Sequence, residues 1–141
     1  MFGKSKKPKY YSLSGILEKN ADYNIIFGER SNGKTYACLA YMIINYVETG
    51  EQSAYVRRWR EDLRGKRAES LFSGHVANGF VSQVTKGKYN EVFYLSGKWF
   101  LSYYDRDKGK RFPDDKPFCY GFCSMSLSQD VITCLMSLCC L

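Results

Sequence analysis

Residues 23–35, Tyr23-Asn24-Ile25-Ile26-Phe27-Gly28-Glu29-Arg30-Ser31-Asn32-Gly33-Lys34-Thr35, contain the complete pattern G-x-x-x-x-G-K-T. The pentapeptide in front of the pattern is apolar and β-branched, the composition of a buried parallel strand, so a strand is expected over 23–27. Behind it, 36–48 holds neither Gly nor Pro, carries apolar residues at helical spacing and stops at Gly50, which predicts a helix. Strand, glycine loop and helix form the context in which this pattern cradles phosphate.

Each residue type has a chemical reason. Gly28 and Gly33 let the backbone turn so that successive N–H groups point inward, toward a β-phosphate. Lys34 reaches β- and γ-phosphates as a point charge, and the Thr35 hydroxyl can ligate Mg²⁺. Both open the helix, whose N-terminal dipole favours anions. Arg30 suits a γ-phosphate, a carboxylate elsewhere, or plain exposure at the loop tip. Asn32 tolerates a backbone position near positive φ. The candidate nucleotide-binding set is therefore Gly28, Glu29, Arg30, Ser31, Asn32, Gly33, Lys34, Thr35 and Tyr36, with Thr35 as the metal ligand.

A chain of 141 residues is long enough for one domain with its own core, and 45% hydrophobic with 16% aromatic residues argues for a folded one. The net charge is +7, and the basic residues cluster at Lys4, Lys6, Lys7 and Lys9, from Arg57 to Arg67, and at Lys108, Lys110 and Arg111. Such clusters fit a nucleic-acid partner, or equally the solvated faces of a basic protein. No stretch approaches the roughly 20 apolar residues a membrane span needs. The N-terminal segment is too polar for a signal-peptide core, so a cytoplasmic setting with reduced thiols is expected. Cys38 reads as a small buried hydrophobe. The other five cysteines, Cys119, Cys123, Cys134, Cys139 and Cys140, form no C-x-x-C pair, and His75 is distant in sequence. A zinc site is not expected on that spacing.

Residues 1–21 read as a basic leader with a short amphipathic piece at Ile16-Leu17. Tyr10 and Tyr11 suit either adenine stacking or ordinary packing. A second strand is predicted over 52–57, parallel to the first across a right-handed crossover helix. Arg57 and Arg58 then stand at its carboxyl end, the edge where ligands bind in open α/β sheets. Residues 59–72 read as a helix broken near Gly65. Strands are predicted at 80–84, 91–95 and 98–104, with Ser96-Gly97 as a hairpin turn, then a charged loop over 105–117 and a strand over 118–124. The fold class expected is α/β, with an antiparallel β-hairpin insertion. Its segments are a leader at 1–21, a partial nucleotide-binding domain at 22–125 and an atypical Cys-rich tail at 126–141.

Arg30 within the loop, Gly50-Glu51-Gln52, and Tyr55-Val56-Arg57-Arg58-Trp59 with Leu63 beyond resemble the DNA-encapsidation ATPases of small tailed phages, relatives of the large terminases. The resemblance covers roughly 20–125 and rests on 23–37 and 50–63. It implies an incomplete RecA-like P-loop NTPase core that binds ATP and Mg²⁺ through residues 28–35. It also implies a ring of subunits at a procapsid portal that drives double-stranded DNA inward, in the cytoplasm of a bacterial host. Arg57 and Arg58 match that family's double arginine. With Arg60, they become candidates for contact with DNA or a neighbouring subunit.

The family also carries a hydrophobic strand ending in Asp-Glu, which positions Mg²⁺ and the attacking water. No such strand is found in this sequence. Asp105, after Tyr103-Tyr104, is the nearest imitation, and its hairpin context does not suit the role. The tail from about residue 129 departs from the family pattern, so a truncated or frameshifted product of a longer packaging ATPase is expected. Two other classes stay open: a non-catalytic nucleotide- or nucleic-acid-binding remnant, and a small P-loop kinase in which the cluster from Arg57 to Arg67 imitates a lid.

Overall fold

The computed structural model describes residues 11–29 and 33–126. A single turn of helix, α1 (Ser14–Leu17), follows the buried Leu13. Helix α2 (Lys34–Thr49) begins after Gly33, at φ +84°, and ends at Gly50, at φ +76°. Both φ values lie in the left-handed region that glycine enters without strain. The Gly50 N–H closes the helix by donating to the Tyr46 carbonyl at 2.9 Å. Cys38, Leu39, Met42 and Ile43 form the buried stripe of α2, at the i, i+1, i+4, i+5 spacing of one helix face.

Strand β1 (Ser53–Arg57) leads into a 3₁₀ turn (Arg60–Leu63) and α3 (Gly65–Glu69), so the helical stretch over 59–72 is broken near Gly65 as expected. Two short helices follow, α4 (Ser73–Ala77) and α5 (Phe80–Val84). The remaining strands are β2 (Glu91–Leu95), β3 (Lys98–Asp105), β4 (Lys110–Pro113) and β5 (Cys119–Cys123). They join β1 in one five-stranded sheet of order β1-β5-β3-β2, with β4 beside β3. β1 and β5 are parallel, Tyr55 opposite Gly121, and every other pairing is antiparallel. The β2–β3 hairpin, turning at Ser96 (φ +48°) and Gly97 (φ +79°), therefore continues the sheet rather than standing apart from it.

The core forms where α2, α3 and α5 meet one face of this sheet, and Trp99 is its centre. Trp99 is fully buried, and its indole N–H donates to the Ala68 carbonyl at 2.8 Å. Tyr94, Phe72 and Tyr55 surround it with ring centroids at 5.2, 6.0 and 6.1 Å. Across the ladder, a Cβ on Gly121 would lie 2.9 Å from the Trp99 ring, so β5 approaches the indole only because that position has no side chain. Strand alternation turns Phe93 and its partner Phe100 to the opposite face.

Three expectations are corrected. Residues 23–27 form no strand: Tyr23, Ile25 and Phe27 are 68%, 71% and 87% exposed, and no described strand pairs with them. The parallel partner of β1 is instead β5. Residues 80–84 are helical, because Phe80, Val81 and Val84 fall on one helix face, and five residues are too few for periodicity to separate helix from strand. Thr85 ends that helix by donating to the Val81 carbonyl and accepting from the Tyr89 N–H. The charged stretch 105–117 contains β4, because Asp105 accepts N–H bonds from Asp107 and Lys108 and folds the chain into a hairpin. The leader before residue 11 and the tail beyond residue 126 lie outside the described residues.

Candidate functional site

The two ends of the G-x-x-x-x-G-K-T stretch are described, while Arg30, Ser31 and Asn32 lie outside. Gly28 and Glu29 are exposed ahead of α2. Gly33 is the N-cap, and Lys34 and Thr35 are the first two helical residues. No acidic residue stands in that first turn, where the helix dipole presents its positive end. The Lys34 ammonium reaches back to donate to the Glu29 carbonyl, which closes the base of the loop. Tyr11 approaches Gly33, its Cβ 3.8 Å from where a Cβ on that glycine would stand.

A cavity of about 230 Å³ opens beside this helix start. Lys34 and Thr35 line it from α2, Tyr55 and Arg57 from the carboxyl half of β1, and Ile26 from the segment ahead of the loop. A lysine, a threonine and an arginine line one space, a residue set suited to a polyanion and a cation. Arg57 is held by Asp62 at 3.4 Å, and the same carboxylate takes Arg67 at 3.1 Å. Burial pushes the Tyr55 hydroxyl above its ordinary pKa, and the nearby Arg57 charge opposes that shift.

Tyr36 follows Thr35 directly, and its ring is committed to the helical layer. It stacks on His75 with centroids 3.9 Å apart and planes 6° from parallel, and Asn78 donates to its hydroxyl at 3.2 Å. His75 Nε2 lies 2.9 Å from the Tyr36 carbonyl, whereas Nδ1, also buried, has no hydrogen-bond partner among the described residues. Burial holds the His75 pKa below its usual 6.5, and the bond to Tyr36 offsets part of that shift. The sequence offered one signal for this pair, a lone histidine, and no indication that it packs against Tyr36 at the start of α2.

The three arginines at the end of β1 do not form one site. Arg57 faces the cavity of Lys34, while Arg58 lies over the exposed Trp59 ring at 5.0 Å. Arg60 lines a separate, larger cleft with Arg64. Asp105 stands in the β3–β4 turn and is not a lining residue of the Lys34 cavity. Among the described residues, no group of His, Cys, Asp and Glu is arranged to hold a metal ion, and no helix is long and apolar enough to cross a membrane.

Residues 5–121 match the family model of the podovirus DNA encapsidation proteins (Gp16). The chain belongs to that family. Among its encapsidation relatives, the DNA packaging proteins of Bacillus phages PZA and phi29 are each 31% identical to it over 115 residues. The matched region covers 77% of this chain and 33% of each relative, so the chain spans about a third of their length. No solved structure matches it. The match includes both the G-x-x-x-x-G-K-T stretch and β1.

Proposed function

We propose that this chain is the ATP-binding part of a viral DNA-packaging motor ATPase, which moves double-stranded DNA into a procapsid in the bacterial cytoplasm. The observation that carries the reading is the convergence of Lys34, Thr35 and Arg57 on one cavity at the start of α2. The fold is then a P-loop NTPase core of RecA type, related to terminases. In it the backbone of residues 28–33 cradles the phosphates, Lys34 neutralises β- and γ-oxygens, and Thr35 ligates Mg²⁺. Arg57 faces the same phosphates from β1. Portal docking and ring self-association belong to the same proposal.

The test is equilibrium binding of a fluorescent ATP analogue with Mg²⁺, beside Lys34→Ala. The expected result is a loss of affinity of about tenfold or more in the variant, since a charge-assisted phosphate contact disappears. Equal affinity for both proteins would overturn the nucleotide reading.

One observation favours a second reading, nucleotide binding without turnover. The carboxylate nearest in sequence pattern to a catalytic acid, Asp105, is engaged in capping its own turn. Phosphate release by the chain, with and without duplex DNA, separates the two. Release that depends on Lys34 supports the motor, and bound nucleotide that stays intact supports the binding module.

A further inference from the structure

The opening turn of α2 is gripped by α4 and its C-cap in a way that packing alone does not require. Tyr36, the residue after Thr35, lays its ring on the His75 imidazole, with centroids 3.9 Å apart. Gly74 leaves room for that ring, since a Cβ there would stand 3.4 Å from Tyr36 Cε2. Asn78 donates to the Tyr36 hydroxyl at 3.2 Å. His75 is itself fully buried and meets Phe72 and Phe80, with ring centroids at 5.8 and 5.7 Å. Phe72 packs against Trp99 and Phe118 at 6.0 and 5.0 Å, so the helix start is tied through His75 to the centre of the core.

With Tyr36, Phe72 and Phe80 around it, position 75 is one that stability alone would fill with an apolar ring. The Tyr36 carbonyl only accepts, so Nε2 holds the imidazole proton and Nδ1 is left as a bare acceptor. That nitrogen is buried and meets no donor among the described residues. A buried acceptor without a donor destabilises the fold, and a phenylalanine at 75 would leave none. What the imidazole adds over an apolar ring is one bond, from Nε2 to the Tyr36 carbonyl at 2.9 Å. A carbonyl has two lone pairs, so this bond supplements the helix ladder without replacing a rung. It falls on the third residue of α2, directly after Lys34 and Thr35. A tie at that point fixes the tilt and rotation of the turn, and with them where the lysine and threonine side chains reach.

We propose that His75 is a positioning residue for the nucleotide cavity: through the Tyr36 carbonyl it fixes the opening turn of α2, and so keeps Lys34 and Thr35 lining that space. The proposal rests on the nucleotide reading above. It gives His75 no contact with nucleotide, since the ring is not among the cavity's lining residues.

The experiment compares the full chain with three variants. His75→Phe keeps a stacking ring and loses the donor, His75→Leu loses both, and His75→Gln keeps an amide that donates to the same carbonyl. Each is read by Mg²⁺-dependent binding of a fluorescent ATP analogue, by the urea midpoint, and by hydrogen exchange of amides 37–40. The expected result is an inversion of rank. His75→Phe is at least as stable as His75→Gln, yet it binds the analogue about fivefold more weakly than wild type, the worth of one buried hydrogen bond. His75→Gln stays within about twofold of wild type. Amides 37–40 exchange faster in His75→Phe, although its global stability is undiminished. His75→Leu shows the same loss of affinity and of protection, so the prediction stands if the phenylalanine variant fails to fold. Affinity that follows the urea midpoint across the series would make the ring a packing residue and overturn the proposal. So would wild-type exchange of amides 37–40 in both apolar variants. A wild-type chain that binds no analogue sinks the nucleotide reading and this role with it, whereas binding unaltered by either apolar variant sinks this role alone.

Discussion

Two pentapeptides, 23–27 and β1, invite comparison because composition ranks them in the wrong order. Tyr-Asn-Ile-Ile-Phe is the more apolar and β-branched, yet its Ile25 and Phe27 face solvent. Ser-Ala-Tyr-Val-Arg is more polar, yet it forms a strand with its first two residues buried. The difference is partnership. β1 has β5 in register along its whole length, and Gln52 just before it donates to the Pro117 carbonyl at 2.8 Å. The 23–27 segment has no ladder among the described residues. Strand propensity expresses fit to a neighbour already in place, and without one this apolar run stays outside the sheet and largely exposed.

The largest expected effect tests the paired side. Trp99→Ala removes the indole that Tyr55 of β1 packs against and abandons the bond to Ala68. It should cost about 3–5 kcal/mol, read as a shift of the urea midpoint. A cost below about 1 kcal/mol would mean that β1 is not held by this core.

A smaller effect lies in the layer that supports the helix start. His75 is the only histidine in the chain, and its folded pKa is below 6.5. As pH falls through 6.5 the unfolded chain takes up the proton first, so this contribution to stability is whole above 6.5 and declines below it. His75→Gln should flatten the acid limb by up to one proton, or about 1.4 kcal/mol per pH unit. Parallel limbs in the two proteins would show that the ring is not buried neutral.

The smallest effect tests the unpaired side. Phe27→Ser at an exposed position should change stability by less than about 0.5 kcal/mol. A loss of about 2 kcal/mol or more would reverse the comparison, placing the phenylalanine in a core and 23–27 in the sheet after all.

These contrasts mark where the sequence was legible. Helix α2 was, because a glycine stands at each end and apolar spacing runs between. The β2–β3 hairpin was, because Ser96-Gly97 accepts positive φ at both turn positions. The local signal failed where the outcome depended on distant partners. Val81 is buried as part of a helix that packs beneath the sheet, and no feature of Phe-Val-Ser-Gln-Val announces that layer. The site divides in the same way. Lys34 and Thr35 were identified by pattern, and Arg57 by its position at a strand end. The parting of Arg57 from Arg60 was not visible, because it depends on which guanidinium Asp62 captures. Tyr36 and His75, 39 positions apart, meet only through tertiary packing.

Helix α2 is also a strut. Its 16 residues span about 24 Å, with Gly33 and the lysine at one end. Near the other end the Tyr46 hydroxyl donates to Asp114 at 2.8 Å and to the Lys116 carbonyl at 3.3 Å, just ahead of β5. A stiff rod fastened at both ends cannot be pushed at one without loading the other. β5 runs from that fastening to Phe122 and Cys123, in the wall of the arginine cleft. The helix that opens beside one cavity is thus pinned next to the strand that walls the other.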